Sequence, residues 1–318
     1  MTVLWEDDTM ASLENVSNVN IRLKQKRAAS DIVFKVFLYV FLSIFAFITL
    51  YPVFNTLAYS LSDGTDSIKG GIHFFPRVWS LKSYEAILFK RESIWRGAAI
   101  TAARTVIGTF LGVFANALLA YIISRRKFIF RSGLSLFWII TIYAQAGIIP
   151  TLYLYRKMYL TQTFWVYVIP GLISGLYLIV MRTYMKNIPD SLEEAAQLEG
   201  AGYMRIFWSI ISPLCKPVYA AIALFIATTQ WNSWFDAYLY NRFKYEYTTL
   251  QFEMYKYFNT VTAQPGTITN MHQPRSYPIT PQTLRSALAI LSMLPLMIAY
   301  PFLQKYFVSG LTVRGIKD

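Results

Sequence analysis

The chain has 318 residues, of which 55% are hydrophobic, 17% aromatic and only 15% charged, and its net charge is +13. A soluble domain carries about 25% charged residues, so this composition excludes a disordered or nucleic-acid-coating protein and argues against a cytosolic enzyme. The excess Lys and Arg flank apolar blocks instead of forming one nucleic-acid-binding stripe.

The first 30 residues are polar and lack the basic start and short apolar core of a cleavable signal peptide. They read as a solvated cytoplasmic tail. A helix needs about 20 mostly apolar residues to cross a membrane. Stretches near 32–61, 97–123, 133–155, 164–185, 217–240 and 284–307 meet that length. The sequence therefore predicts an all-α polytopic protein with six transmembrane helices over 31–308 and a short tail at 309–318. Pro170, Gly171 and Gly175 interrupt the fourth span, which is tolerated where neighbouring helices satisfy the freed backbone groups. Arg22, Lys24, Lys26 and Arg27 precede the first span, and Arg125, Arg126, Lys127 and Arg131 follow the second. Both clusters fall on one side, which the positive-inside rule makes cytoplasmic, and both termini lie there too.

Few ionisable residues lie within the spans, among them Arg104, Arg182 and Asp236, the last being the one acidic residue inside them. An ion-coupled carrier needs a buried carboxylate or sodium site near the midplane, and Asp236 sits too far towards one end. No Gly-Lys pair exists for a phosphate-cradling loop, and the metalloprotease and nucleophile-elbow motifs are absent. A single cysteine, Cys215, and two distant histidines, His73 and His272, leave no disulfide framework, zinc site or His-centred triad. Energy for transport must come from another chain, or the protein is passive.

Between spans four and five lies KNIPDSLEEAAQLEGAGYMRIFWSIISPLCKP, residues 186–217. Its signals are those of two short helices around a glycine hinge. Pro189 stops the preceding span, Ser191 and Glu194 have the spacing of a capping box, and Gly200 stands where a helix end wants a left-handed residue. Ala195 and Ala196 present a low-relief face, and a second amphipathic segment, 203–211, ends at Pro213. Such a hairpin is equally a plain linker between spans.

The run Glu194-Ala195-Ala196, then Gly200, then Ile210 and Pro213 resembles the EAA signature loop of permease subunits of binding-protein-dependent ABC importers. Glu199 stands where Asp is usual in that family, and Ser212 where Leu is usual. The likeness extends through YAQAGIIPTLYLYRKMYL, through 182–201, through Trp231-Asn232-Ser233-Trp234-Phe235, and into the ending YPFLQKYFVSGLTVRGIKD. It is closest to the carbohydrate-uptake, maltose-permease-like branch and its complex-oligosaccharide subgroup. The first 30 residues have no counterpart in it.

The resemblance implies a transport subunit of a bacterial cytoplasmic membrane, without a nucleotide site of its own. It implies a second permease subunit, a non-identical homologue, and a cytoplasmic ATPase dimer that carries the ATP and Mg. It also implies an extracytoplasmic solute-binding protein and a sugar substrate, with a peptide or amino acid as the alternative. Carried over residue by residue, Glu193, Glu194, Ala195, Ala196, Gly200, Ala201, Ile210 and Pro213 belong to the ATPase-coupling loop, with the Ala196 face turned to the ATPase. A bulky charge at Ala196 is then expected to uncouple ATP hydrolysis from transport without unfolding the spans. The tail 309–318 either reaches the ATPase or is a frayed end. The loop 241–282 faces the binding protein, while its tyrosines fit an interfacial belt equally well.

Sugars are held by aromatic stacking and by amide and hydroxyl hydrogen bonds. The path candidates are Tyr143, Gln145, Tyr177, Trp231, Asn232, Trp234 and Asp236. Gln145 and Asn232 are costly against lipid and are expected to face the bundle interior. Trp231 and Trp234, three apart, share a helix face that either stacks on sugar or packs another span. Arg104 meets either an acidic sugar or a carboxylate of the partner subunit.

Overall fold

The computed structural model describes residues 4–89, 92–144, 146–262 and 279–312, with side chains over 31–89, 92–144, 146–259 and 279–301. The described residues form helices joined by short loops. These are α1 (Leu4–Ser60), α2 (Gly64–Ser67), α3 (Lys82–Leu88), α4 (Glu92–Ser124), α5 (Arg131–Tyr143), α6 (Ile148–Lys157) and α7 (Gly175–Lys186). They continue as α8 (Asp190–Leu198), α9 (Tyr203–Ile206), α10 (Ser212–Leu214), α11 (Lys216–Asn232), α12 (Phe235–Tyr240), α13 (Leu250–Thr262) and α14 (Pro281–Thr312). The polar N-terminal residues from Leu4 onward share one helix with the first apolar stretch.

Three apolar segments are single helices: Asp31–Ser60, Glu92–Ser124 and Pro281–Pro301. The other three are broken. The third stops at Tyr143 and restarts at Ile148, short of the single helix to residue 155 that its hydropathy suggests. The fourth passes from 3-10 turns over Phe164–Gly171 into α7 with a bend of 46°. The fifth meets the segment Tyr203–Leu214 at 80°, and its helix ends at Asn232 where Ser233 turns extended. Thus the expected span 217–240 is α11 plus a separate α12.

Helix α4 is the centre of the bundle. Gly97, Thr101, Arg104, Gly108, Gly112, Asn116 and Ala120 are all buried, and their spacing of three or four places them on one face. Small residues on that face let α7, α11 and α13 approach closely. The core cluster at one end joins Ala120, Tyr121 and Ile123 to Leu178, Met181, Met185, Phe207 and Ile222. In contrast, α1 leaves Phe37, Phe41, Phe45 and Ile48 exposed, the surface expected against lipid or another subunit.

The break in the fourth segment is stitched by one side chain. Fully buried Asn116 donates through Nδ2 to the carbonyls of Gly112 at 2.7 Å and Leu172 at 2.8 Å. Its Oδ1 accepts from the Ser174 amide at 3.1 Å. An interrupted helix is stable away from water only when its freed backbone groups find such partners. Gly175 then starts α7 so close to α5 that a Cβ would lie 2.6 Å from the Trp138 carbonyl oxygen. No larger residue fits that crossing without a shift.

Candidate functional site: the α8 loop and the buried pair at the opposite end

Helix α8 begins at Asp190 with Pro189 in the N-cap position and no side-chain cap bond. The capping box expected of Ser191 and Glu194 is therefore not formed. Proline needs no amide partner at a helix start, and Asp190 and Glu193 bring negative charge to the first turn. The other end is as expected. Gly200 has φ of 82°, its amide bonds the Gln197 carbonyl at 3.0 Å, and the Ala201 amide bonds that of Ala196 at 2.9 Å. This pair of bonds is a Schellman cap.

Of the coupling-loop residues, Glu193 and Ala196 turn inward, three apart on the buried face. Ala196 packs in the core with Met185, Ile206 and Phe207, so the expected outward Ala196 face is absent. A bulky charge there would strike the core. The exposed face carries Leu192, Glu194, Ala195 and Leu198, the last 90% exposed. Ala201 and Ile210 pack against the same core. Pro213 lies inside the short α10, past a π-helical turn over Phe207–Ile211. The turn of direction falls at buried Cys215, beyond Pro213.

Glu193 is held by a residue that the sequence offered only as a topology signal. Arg125 Nη1 donates to Glu193 Oε2 at 2.8 Å, Nη2 to the Met185 carbonyl at 3.1 Å and Nε to Ser124 Oγ at 2.9 Å. One guanidinium thereby ties the ends of α4 and α7 to α8. Arg126 pairs with Asp190 at 3.1 Å, and Lys127 donates to Gln197 Oε1 at 2.7 Å. Gln197 in turn donates to Glu193 Oε1 at 3.2 Å. Asp190, Glu193 and Gln197 recur at one helical face, opposite a basic triplet; that spacing was the available signal.

At the opposite end of the bundle, buried Arg104 grips Asp236 through both terminal nitrogens, with Nη1 3.2 Å from Oδ1. Its Nε donates to Gln230 Oε1 at 2.8 Å, and its guanidinium lies 4.3 Å from the centre of the Tyr167 ring. Gln230 Nε2 bonds the Tyr167 carbonyl at 3.0 Å. Arg104 thus has its carboxylate within the chain, the partner that neither sequence alternative named. The cluster binds α4, α11, α12 and the broken fourth segment together.

The other path candidates are dispersed. Trp231 is buried and donates to the Ser292 carbonyl at 2.9 Å, whereas Trp234 stacks on Tyr255 with ring centres 4.2 Å apart. Extended Ser233 separates them, so they do not share a helix face. Asn232 is exposed rather than interior, Tyr143 is 83% exposed, and Tyr177 packs half-buried on the core. Gln145 lies outside the described residues, as do 263–278 and 313–318. A groove of about 570 Å³ between α4 and α11 is lined mainly by Val106, Phe110, Phe114, Trp208, Ala223 and Ala227. None of the described path candidates lines it, and its surface suits apolar packing better than a polyol.

No family model matches the chain. It is 30% identical over 284 residues to the polygalacturonan/rhamnogalacturonan transport system permease protein YtcP of Bacillus subtilis (strain 168), covering 89% of this chain and 98% of that protein. It is 27% identical over 302 residues to the maltodextrin transport system permease protein MdxG of the same organism, covering 89% of this chain and 96% of that one. Among solved structures, a chain of a bacterial ABC transporter involved in the import of the acidic polysaccharide alginate superposes with a TM-score of 0.79. The two are 28% identical, and the match covers 87% of this chain and 98% of that one. With its apolar, partly broken helices and a match that spans most of the chain and nearly all of these relatives, the chain belongs to the sugar and oligosaccharide permease family of ABC importers.

Proposed function

We propose that this chain is one transmembrane half of an ATP-driven importer that receives a sugar or oligosaccharide from an extracytoplasmic binding protein. In this reading the α8 end and both termini are cytoplasmic. The ATP and Mg reside on a separate ATPase dimer, and a second, non-identical permease completes the path. The observation that carries the proposal is the rigid mounting of α8. A short helix transmits force only if its base does not yield, and α8 is anchored by the buried Arg125–Glu193 pair and a Schellman cap while Leu198 projects outward. Closure of the ATPase would move α8, and the 80° junction at Cys215 would pass that movement into α11.

Tyr143 and Asn232 are the exposed path candidates, and in this reading they line the path together with the second permease. The test is ATPase activity in proteoliposomes holding this chain, its ATPase and its partner permease. Binding protein loaded with one of a panel of oligosaccharides is added from outside. Stimulation by one saccharide supports the reading and names the substrate. Uptake by this chain alone, without ATPase, refutes it.

A further inference from the structure

Between α4 and α5 the chain reads Arg-Arg-Lys-Phe-Ile-Phe-Arg over 125–131, cations interleaved with large apolar residues. Successive tight turns fix this loop. The amides of Arg125, Phe128 and Arg131 bond the carbonyls of Ile122, Arg125 and Phe128 at 3.4, 3.3 and 3.3 Å. Ile129 is left 88% exposed and Phe130 68%. Two such neighbours are costly in water. The loop joins two membrane segments, and at that depth apolar side chains enter the acyl boundary while adjacent Lys and Arg reach the phosphates.

Behind the loop lies a cavity of about 320 Å³, walled by Tyr121, Ile122, Arg125, Lys127, Phe128 and Tyr203. It sits between the end of α4 and the first residue of α9. Tyr121 is buried, with its ring 5.3 Å from that of Phe207. Its hydroxyl has no hydrogen-bond partner among the described residues. A buried hydroxyl in that state is unfavourable, and a ligand oxygen would relieve it. The charges at the mouth do not cancel. Arg125 is matched by Glu193 and Arg126 by Asp190. Lys127 and Arg131 are in no ion pair among the described residues, and Lys127 donates to the neutral Gln197.

We propose that this cavity holds the head of an anionic phospholipid of the phosphatidylglycerol type. Lys127 would meet the phosphate, the Tyr121 hydroxyl an ester or glycerol oxygen, and the chains would leave along Ile122, Ile129 and Phe130. The mostly carbon wall selects a lipid over a soluble phosphate ester, and the surplus of cations selects an anionic head over a zwitterionic one. Basic pockets between transmembrane helices on the cytoplasmic side suit such heads. The proposal rests on the importer reading for the side on which the loop lies. Arg125 and Lys127 also hold Glu193 and Gln197 of α8, so a lipid here would brace the mounting of that helix.

The test titrates the full-length chain in dodecyl maltoside with phosphatidylglycerol, phosphatidylcholine or glycerol 3-phosphate, and counts bound molecules by native mass spectrometry. Compared are the wild type, Lys127→Gln, Tyr121→Phe and Lys186→Gln, the last an exposed cation at the end of α7 outside the cavity. Expected is saturable binding of phosphatidylglycerol in preference to phosphatidylcholine. Lys127→Gln and Tyr121→Phe are each expected to weaken it about fivefold, and Lys186→Gln to leave it unchanged. Tyr121→Phe removes a hydroxyl without a partner, so its Tm in the absence of lipid is expected to be unchanged or higher. Its loss of binding is then no loss of fold. Equal weakening by Lys127→Gln and Lys186→Gln would reveal diffuse surface attraction and overturn the cavity. Equal binding of the two lipids, or no effect of either cavity variant, overturns it as well. Binding of glycerol 3-phosphate as tight as that of phosphatidylglycerol would make the ligand a soluble phosphate ester and overturn the lipid assignment. None of these outcomes touches the importer reading, which is refuted instead by uptake through this chain alone.

Discussion

Arg125, one residue past the end of α4, and Glu193, in the first turn of α8, meet at 2.8 Å with both side chains buried. A buried ion pair adds little net stability over an apolar one, but stripping away one partner costs about 3–5 kcal/mol. Its value here is positional, because the same guanidinium also takes the last carbonyl-rich turn of α7 at Met185.

Single variants Arg125→Ala and Glu193→Ala are therefore expected to lower stability by about 3–5 kcal/mol each. The double variant is expected to lose much less than their sum. Thermal unfolding in detergent measures the cycle. Additive losses would show that the two side chains act independently.

Leu198 and Ala196 lie on one short helix but face opposite ways. Leu198→Glu is expected to weaken capture of the ATPase while leaving Tm within the range of an ordinary surface change. Ala196→Glu buries a charge in the core and is expected to lower Tm or prevent assembly. Co-purification yield and Tm of the two variants, read side by side, separate these effects.

Gly200 holds a φ of 82° with open space around the position of a Cβ. Strain, not collision, therefore governs substitutions there. Gly200→Val is expected to cost about 1–2 kcal/mol and Gly200→Asn distinctly less. Equal losses in thermal unfolding would contradict a left-handed cap.

Because Arg104 is neutralised by Asp236 inside the chain, it offers no net charge to a substrate. Arg104→Gln is expected to lower uptake of neutral and uronate-bearing oligosaccharides by the same factor, with Asp236→Asn in the same chain restoring part of the loss. Selective loss of acidic sugars would return Arg104 to a ligand role.

The apolar lengths, the helix after Pro189 and the glycine cap at 200 were legible because each depends on local composition or one backbone angle. The break at Ser233 was not. WNSW holds neither Gly nor Pro, and the bend reflects Trp231 and Trp234 packing into different clusters. Ala196 was misread because alanine fits a core or an interface equally, while the more apolar Leu198 stays outside. Arg125 was masked by its other meaning, since basic residues after a span report orientation whether or not they also bind a carboxylate. Asn116 was passed over because a buried amide has a role only once the carbonyls of a broken neighbour are in view.

Docking of an ATPase on the exposed face of α8 is the central claim, and one thiol tests it most directly. Cys215 is the only cysteine and is fully buried, so Leu198→Cys introduces a single accessible sulfhydryl. Maleimide labelling of that thiol in inverted membrane vesicles, with and without the ATPase, is the measurement. The expected result is rapid labelling in its absence and protection when it is bound. Equal labelling in both, with the ATPase demonstrably assembled, would contradict the claim.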